Sequence, residues 1–136
     1  GKSYGKWGSF IDDIDHFDPQ FFNILPKEAH YIDPQERLFL EVVWETLEDA
    51  GYTPEQLQQF GPFGNVGVFV GLMYSHYHLY ETNIHHLEAS SYASMANRVS
   101  YFLNLHGPSL ALDTMCSSSL SAIHLAYQSI LSGECQ

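Results

Sequence analysis

Val66-Gly67-Val68-Phe69-Val70-Gly71 is apolar without interruption. Successive side chains of a strand point to opposite faces, so a strand with one wet face alternates polar and apolar residues. A run without alternation suits a strand covered on both faces, as in a parallel or mixed sheet with helices on each side. Its neighbours supply those helices. Asp33 is a good N-cap for a helix from Pro34 to about Ala50, with Pro34 at N1 and Glu36 at N3 in a capping-box-like pattern. Leu38, Phe39, Val42, Val43, Thr46, Leu47 and Ala50 form its apolar stripe. Leu40 and Trp44 lie partly outside the stripe, so burial on more than one side is expected. Gly51 is placed to end the helix in a left-handed conformation, and Thr53 to cap a short helix over Pro54–Leu57.

Beyond the apolar run, Ser91 to Leu105 reads as a helix with Ala93, Ala96, Val99, Ser100 and Leu103 on one face. Gly107-Pro108 breaks it, and Ser109 to Met115 reads as a second strand. The final helix carries Leu120, Ile123, Ala126 or Tyr127, and Ile130 at helical spacing, and Gly133 terminates it. Helix, strand, helix, strand, helix predicts an α/β layered fold, with residues 1–136 as one domain.

The first 32 residues are turn-rich and aromatic. Asp18 with Pro19 predicts a helical turn, and the acidic cluster Asp12, Asp13, Asp15 and Asp18 lacks the glycine and terminal glutamate of a calcium loop. It reads as a solvated face. His76, His78, His85 and His86 suggest a metal at first sight. His76 and His78 are two residues apart, and no cysteine or HExxH pattern accompanies them, so a surface or interface loop is the expectation.

Sixteen acidic against 5 basic residues give a net charge of −11. Nucleic-acid binding needs clustered Lys and Arg and is not expected. An acidic protein partner would need a local basic patch. No apolar run approaches the roughly 20 residues that span a bilayer, and no signal peptide is seen. Two cysteines, Cys116 and Cys135, at opposite ends of one helix suit a reducing cytoplasm.

Cys116 follows a strand and opens a helix. The free N–H groups and dipole of a helix N-terminus favour an anion, and the thiolate is the nucleophilic form of cysteine. The residues alone leave two readings open: an activated nucleophile, or a buried inert thiol. Ser117, Ser118 and Ser119 are small enough to admit a substrate, and equally suited to capping and packing. Asp113 is expected to hold the loop through backbone hydrogen bonds rather than to complete a triad. Asn97 and Arg98 are expected to be structural, and Met115 to line a tunnel for the substrate or pack in the strand.

Asp113-Thr114-Met115-Cys116-Ser117-Ser118-Ser119-Leu120 resembles the nucleophile motif of the β-ketoacyl synthase (ketosynthase) domains of modular polyketide synthases. Phe17-Asp18-Pro19-Gln20-Phe21-Phe22, Ile32-Asp33-Pro34-Gln35-Glu36-Arg37, Trp44-Glu45-Thr46-Leu47-Glu48-Asp49-Ala50-Gly51, Gly67-Val68-Phe69-Val70-Gly71, Ala96-Asn97-Arg98-Val99-Ser100-Tyr101 and Gly107-Pro108-Ser109 follow that family's order. Tyr77-His78-Leu79-Tyr80 and Met115 look most like ketosynthases of assembly lines with a separate acyltransferase.

The resemblance implies part of the N-terminal half of a thiolase-like fold. The family's leading strand would precede Gly1, and its C-terminal half would follow. It implies that Cys116 accepts an acyl chain from the phosphopantetheine thioester of an acyl carrier protein, with no cofactor bound by the chain itself. A decarboxylative Claisen condensation with a malonyl-type extender would follow, in a homodimer of complete domains. The family's two catalytic histidines and its lysine belong to C-terminal motifs that no histidine here matches. His124 is expected to be a packed helix residue and His106 a loop residue. A non-elongating ketosynthase that only transfers chains, and a dimerisation module built on Ser109–Met115, are the alternatives. The chain alone is expected not to elongate and to be poorly soluble.

Overall fold

The computed structural model describes residues 4–77 and 91–136. Seven elements follow in order: α1 (Pro26–Ala29), α2 (Pro34–Ala50), α3 (Pro54–Leu57), β1 (Val68–Gly71), α4 (Tyr92–Phe102), β2 (Ser109–Leu112) and α5 (Ser118–Ser132). β1 and β2 pair in parallel, Val68 opposite Ser109 and Gly71 opposite Leu112. Parallel neighbours need a crossover, and α4 provides it.

The apolar run is covered on both faces, as expected. Val68, Val70 and Leu72 are buried in the core with Met95, Ala96, Val99 and Leu103 of the α4 region and Leu40 of α2. The other face receives α5. A Cβ at Gly71 would lie 2.4 Å from the Ser118 carbonyl carbon, and one at Gly67 would lie 3.2 Å from Cys135 Sγ. The absence of a side chain at Gly71 therefore lets the first turn of α5 rest on the strand backbone.

Local chemistry sets the helix limits. Asp33 Oδ1 accepts the Gln35 N–H at 2.9 Å, while Gly51 closes α2 at φ 74°. Thr53 and Gln56 form a reciprocal capping box around α3. Asp18 Oδ1 accepts the N–H groups of Gln20 and Phe21, holding a turn rather than a helix at Pro19. That turn places Phe21 edge-on to Trp44 at 4.9 Å and Phe22 at 5.0 Å from Phe102.

Three expectations are corrected. The inward face of α2 carries Glu36, Arg37 and Leu40, with Val43, Trp44 and Leu47 packed beside the core; Val42, Thr46 and Ala50 are exposed. The stripe was displaced because a buried Glu and Arg occupy core positions. In α4, Met95 is buried and Ala93 is exposed. In α5 the buried residues are Ser118, Ala122 and Ser129, while Leu120, Ile123, Tyr127, Ile130 and Leu131 face outward. Small residues lie against β1 because Gly71 leaves no room for large ones.

Candidate active site at the β2–α5 turn

β2 ends at Leu112, three residues earlier than the sequence suggests. Asp113 turns the chain, and its Oδ1 accepts the Met115 N–H at 2.8 Å. Met115 has φ 59°, a left-handed conformation that β-structure does not use, so it neither packs in a strand nor continues one. Its side chain is half exposed. Asp113 thus braces the loop, as its position three residues before Cys116 suggested.

A hydroxyl network locks the turn. The Thr114 N–H donates to Ser118 Oγ at 2.9 Å, and Ser118 Oγ donates to the Met115 carbonyl at 2.7 Å. Ser117 Oγ donates to the Thr114 carbonyl at 2.8 Å. Thr114 Oγ1 lies 2.9 Å from Ser117 Oγ and 3.0 Å from Ser121 Oγ. Ser118 is buried, so its hydroxyl satisfies backbone groups that water does not reach. These bonds fix the backbone on both sides of Cys116, whose thiol is free and exposed. Ser117 and Ser118 thus brace the turn around an open thiol, while Ser119 is exposed.

Cys135, at the far end of α5, is buried with Sγ 3.3 Å from Ser129 Oγ. The two thiols therefore differ in access as well as in place. His124 is exposed on α5, not packed as expected. His106 lies in an exposed loop, its backbone N–H bonded to the Gly64 carbonyl. Asn97 is structural: Ser109 Oγ donates to its Oδ1 at 2.9 Å and accepts from Ser100 Oγ, tying α4 to β2. Arg98 is structural too. It is held by Glu36, fully buried on α2, and by Glu28 of α1 at 2.8 Å, and Ser94 Oγ completes the cluster on Glu36. The sequence gives no sign of this cluster, because its partners are separated by 58 to 70 positions.

His78, Leu79, Tyr80, His85 and His86 lie outside the described residues. Of the neighbouring segment, His76 stacks with Tyr74 at 5.2 Å. Among the described residues no group of three or more His, Cys, Asp or Glu could hold a metal ion. No helix of the described residues is long and apolar enough to cross a membrane.

The whole chain, residues 1–136, matches the family described as "Beta-ketoacyl synthase, N-terminal domain". It is 56% identical over 147 residues to polyketide synthase PksL of Bacillus subtilis, an alignment that covers 100% of this chain and 3% of that protein. It is 55% identical over 141 residues to polyketide synthase ThaG of Burkholderia thailandensis, covering 100% of this chain and 2% of that protein. Among solved structures it resembles the oxazolomycin ketosynthase domain OzmH KS7 of Streptomyces albus, with TM-score 0.89 and 52% identity over 100% of this chain and 24% of that one. The ketosynthase from module 6 of the Bacillus subtilis bacillaene synthase superposes with TM-score 0.81 and 44% identity, over 93% of this chain and 21% of that one. The parallel strands, their crossover and the turn at Cys116 are thus part of a thiolase-like fold, and the chain belongs to the β-ketoacyl synthase family of polyketide synthases.

Proposed function

We propose that Cys116 is the acyl-accepting nucleophile of a polyketide ketosynthase. One observation carries the reading: an exposed thiol on a turn whose flanking backbone is fixed by Asp113, Thr114, Ser117 and Ser118. A nucleophile must be reachable and held in one place, and this thiol meets both conditions. Its Sγ attacks the thioester carbonyl of an acyl chain carried on the phosphopantetheine of an acyl carrier protein. The C–S bond to the carrier breaks, and the phosphopantetheine thiol leaves with a proton. The Cys116 N–H, at the entry to α5, serves as one oxyanion-hole donor.

In the complete domain a malonyl-type extender on its carrier loses CO2, and the resulting carbanion attacks the acyl-Cys116 carbonyl. A C–C bond forms and the Cys116 thiolate is released. The histidines of this chain take no part. An assembly line with a separate acyltransferase and a homodimer of complete domains belong to the same reading.

The test uses the complete ketosynthase domain and an acyl-carrier thioester. Peptide mass mapping is expected to place the acyl group on Cys116 and to lose it in Cys116→Ala. Acylation of Cys135, or none, would overturn the assignment. Adding malonyl-carrier then separates elongation, which yields a β-ketoacyl product, from transfer alone, which does not. Iodoacetamide is expected to alkylate Cys116 faster than Cys135. A second reading, an interaction module, draws on the half-exposed Leu110 of β2. Binding of the chain to a ketosynthase protomer with no preferential Cys116 labelling would favour it.

A further inference from the structure

Arg98 is doubly paired with carboxylates; Arg37, the other arginine, is not. Its side chain leaves only 9% of the residue exposed, and its Nε is buried with no hydrogen-bond partner. Among the described residues no ion pair or hydrogen bond engages its guanidinium. A buried donor without a partner is costly, and an arginine has no neutral form to retreat to.

Arg37 also lines a cavity of about 170 Å³ that opens beside the Asp18 turn. Phe17, Pro19 and Pro26 give it apolar walls, and Asp15 and His30 complete the rim. We infer that this cavity is a carboxylate site, in which Arg37 takes the carboxylate of a small molecule or of an acidic side chain from elsewhere in the protein. The volume admits a group of a few heavy atoms, not an acyl chain. The guanidinium offers paired donors that match a planar carboxylate. Apolar walls favour a carboxylate over the more strongly hydrated phosphate and sulfate.

The charged groups nearby are Asp15 on the rim, His30 if protonated, and Glu41 one turn further along α2. Burial, then Glu45, pushes the Glu41 carboxyl above its ordinary value while Arg37 draws it back, so Glu41 senses Arg37 without pairing to it. Asp15 is exposed and does not reach Arg37 within ion-pair distance.

The experiment follows the Arg37 side-chain N–H resonances in the full chain during an acetate titration at constant ionic strength. Acetate is expected to shift them saturably, with phosphate and sulfate weaker. Arg37→Lys, followed through the backbone N–H of His30 on the same cavity, keeps the charge and loses the fork, and should weaken acetate by about tenfold, the equivalent of one charge-assisted hydrogen bond. If the carboxylate comes from the protein itself, a longer polypeptide carrying this chain shows the shifted, exchange-protected resonances without acetate. Unshifted resonances in both settings would overturn the inference. So would an Arg37 signal that moves on Asp15→Asn in the absence of acetate, since the charge would then have an internal partner. Equal acetate affinity in Arg37→Lys would reduce the effect to nonspecific charge and overturn it as well.

Discussion

Position 71 controls where the thiol sits. A β-carbon there would come within 2.4 to 2.6 Å of backbone atoms of Ser118 and Ser119, which cannot swing aside as a side chain would. Gly71→Ala is therefore expected to push the start of α5 off β1, costing about 1–3 kcal/mol of stability. The rate of Cys116 alkylation should change with it. Gly133→Ala is the control. Gly133 has φ 75° and open space around its Cβ position, so the cost is about 1–2 kcal/mol of backbone strain with no effect on Cys116. Denaturation midpoints together with iodoacetamide rates separate the two cases. Cys116 itself was legible in the sequence as a residue between strand and helix. The left-handed Met115 was not, because methionine carries no preference for that conformation. The serines were legible as small, but their division into a buried Ser118 and an exposed, turn-bonded Ser117 needed the fold.

Among the elements, the ends of α2 were readable and its face was not. Asp33, Pro34 and Gly51 act locally, so sequence suffices for them. The inward face depends on Glu36, which is fully buried only because Arg98 arrives from α4. Glu36→Gln is expected to cost about 3–5 kcal/mol, since it leaves the arginine short of a partner in a dry site. A double-mutant cycle with Arg98→Met should show strong coupling; additive effects would contradict the pairing.

Glu41 makes the opposite prediction on the same helix. Burial, then Glu45, raises its carboxyl above the ordinary 4.5, against a downward pull from Arg37. A raised acid favours the folded state below its unfolded pKa, and that contribution is lost as pH rises through the folded value. Glu41→Gln should thus stabilise the fold at neutral pH by about 0.3 kcal/mol, the scale of one like-charge helix pair. The gain should fade as pH drops towards 4.5 and below, which thermal melts across pH would resolve.

For the whole molecule, the α/β layering was visible from the unbroken apolar run and the helices around it. What sequence periodicity left open was the direction of α5. Its apolar residues do share a face, yet that face points away from β1, with Leu120 74% and Ile123 66% exposed. Periodicity identifies a stripe but not the layer it will meet, and a strand with glycine at the contact accepts only small residues. An apolar face this open predicts self-association of the isolated chain. Polar substitutions at Ile123 and Ile130 should raise its monomer fraction in sedimentation without shifting the Cys116-to-Cys135 labelling ratio. An unchanged fraction would place the sticky surface elsewhere.

The parallel pairing also imposes an order in time. Among the described residues the strand partner of β1 is Ser109–Leu112, made only after α4, and α5 rests on the β1 backbone later still. A ribosome therefore releases the segment around Cys116 after both strands but before α5, so the turn is made ahead of the helix that fixes it. Cys135 becomes a clock for this step: its thiol should resist alkylation in nascent chains only once α5 has docked, the moment at which the turn acquires its final shape.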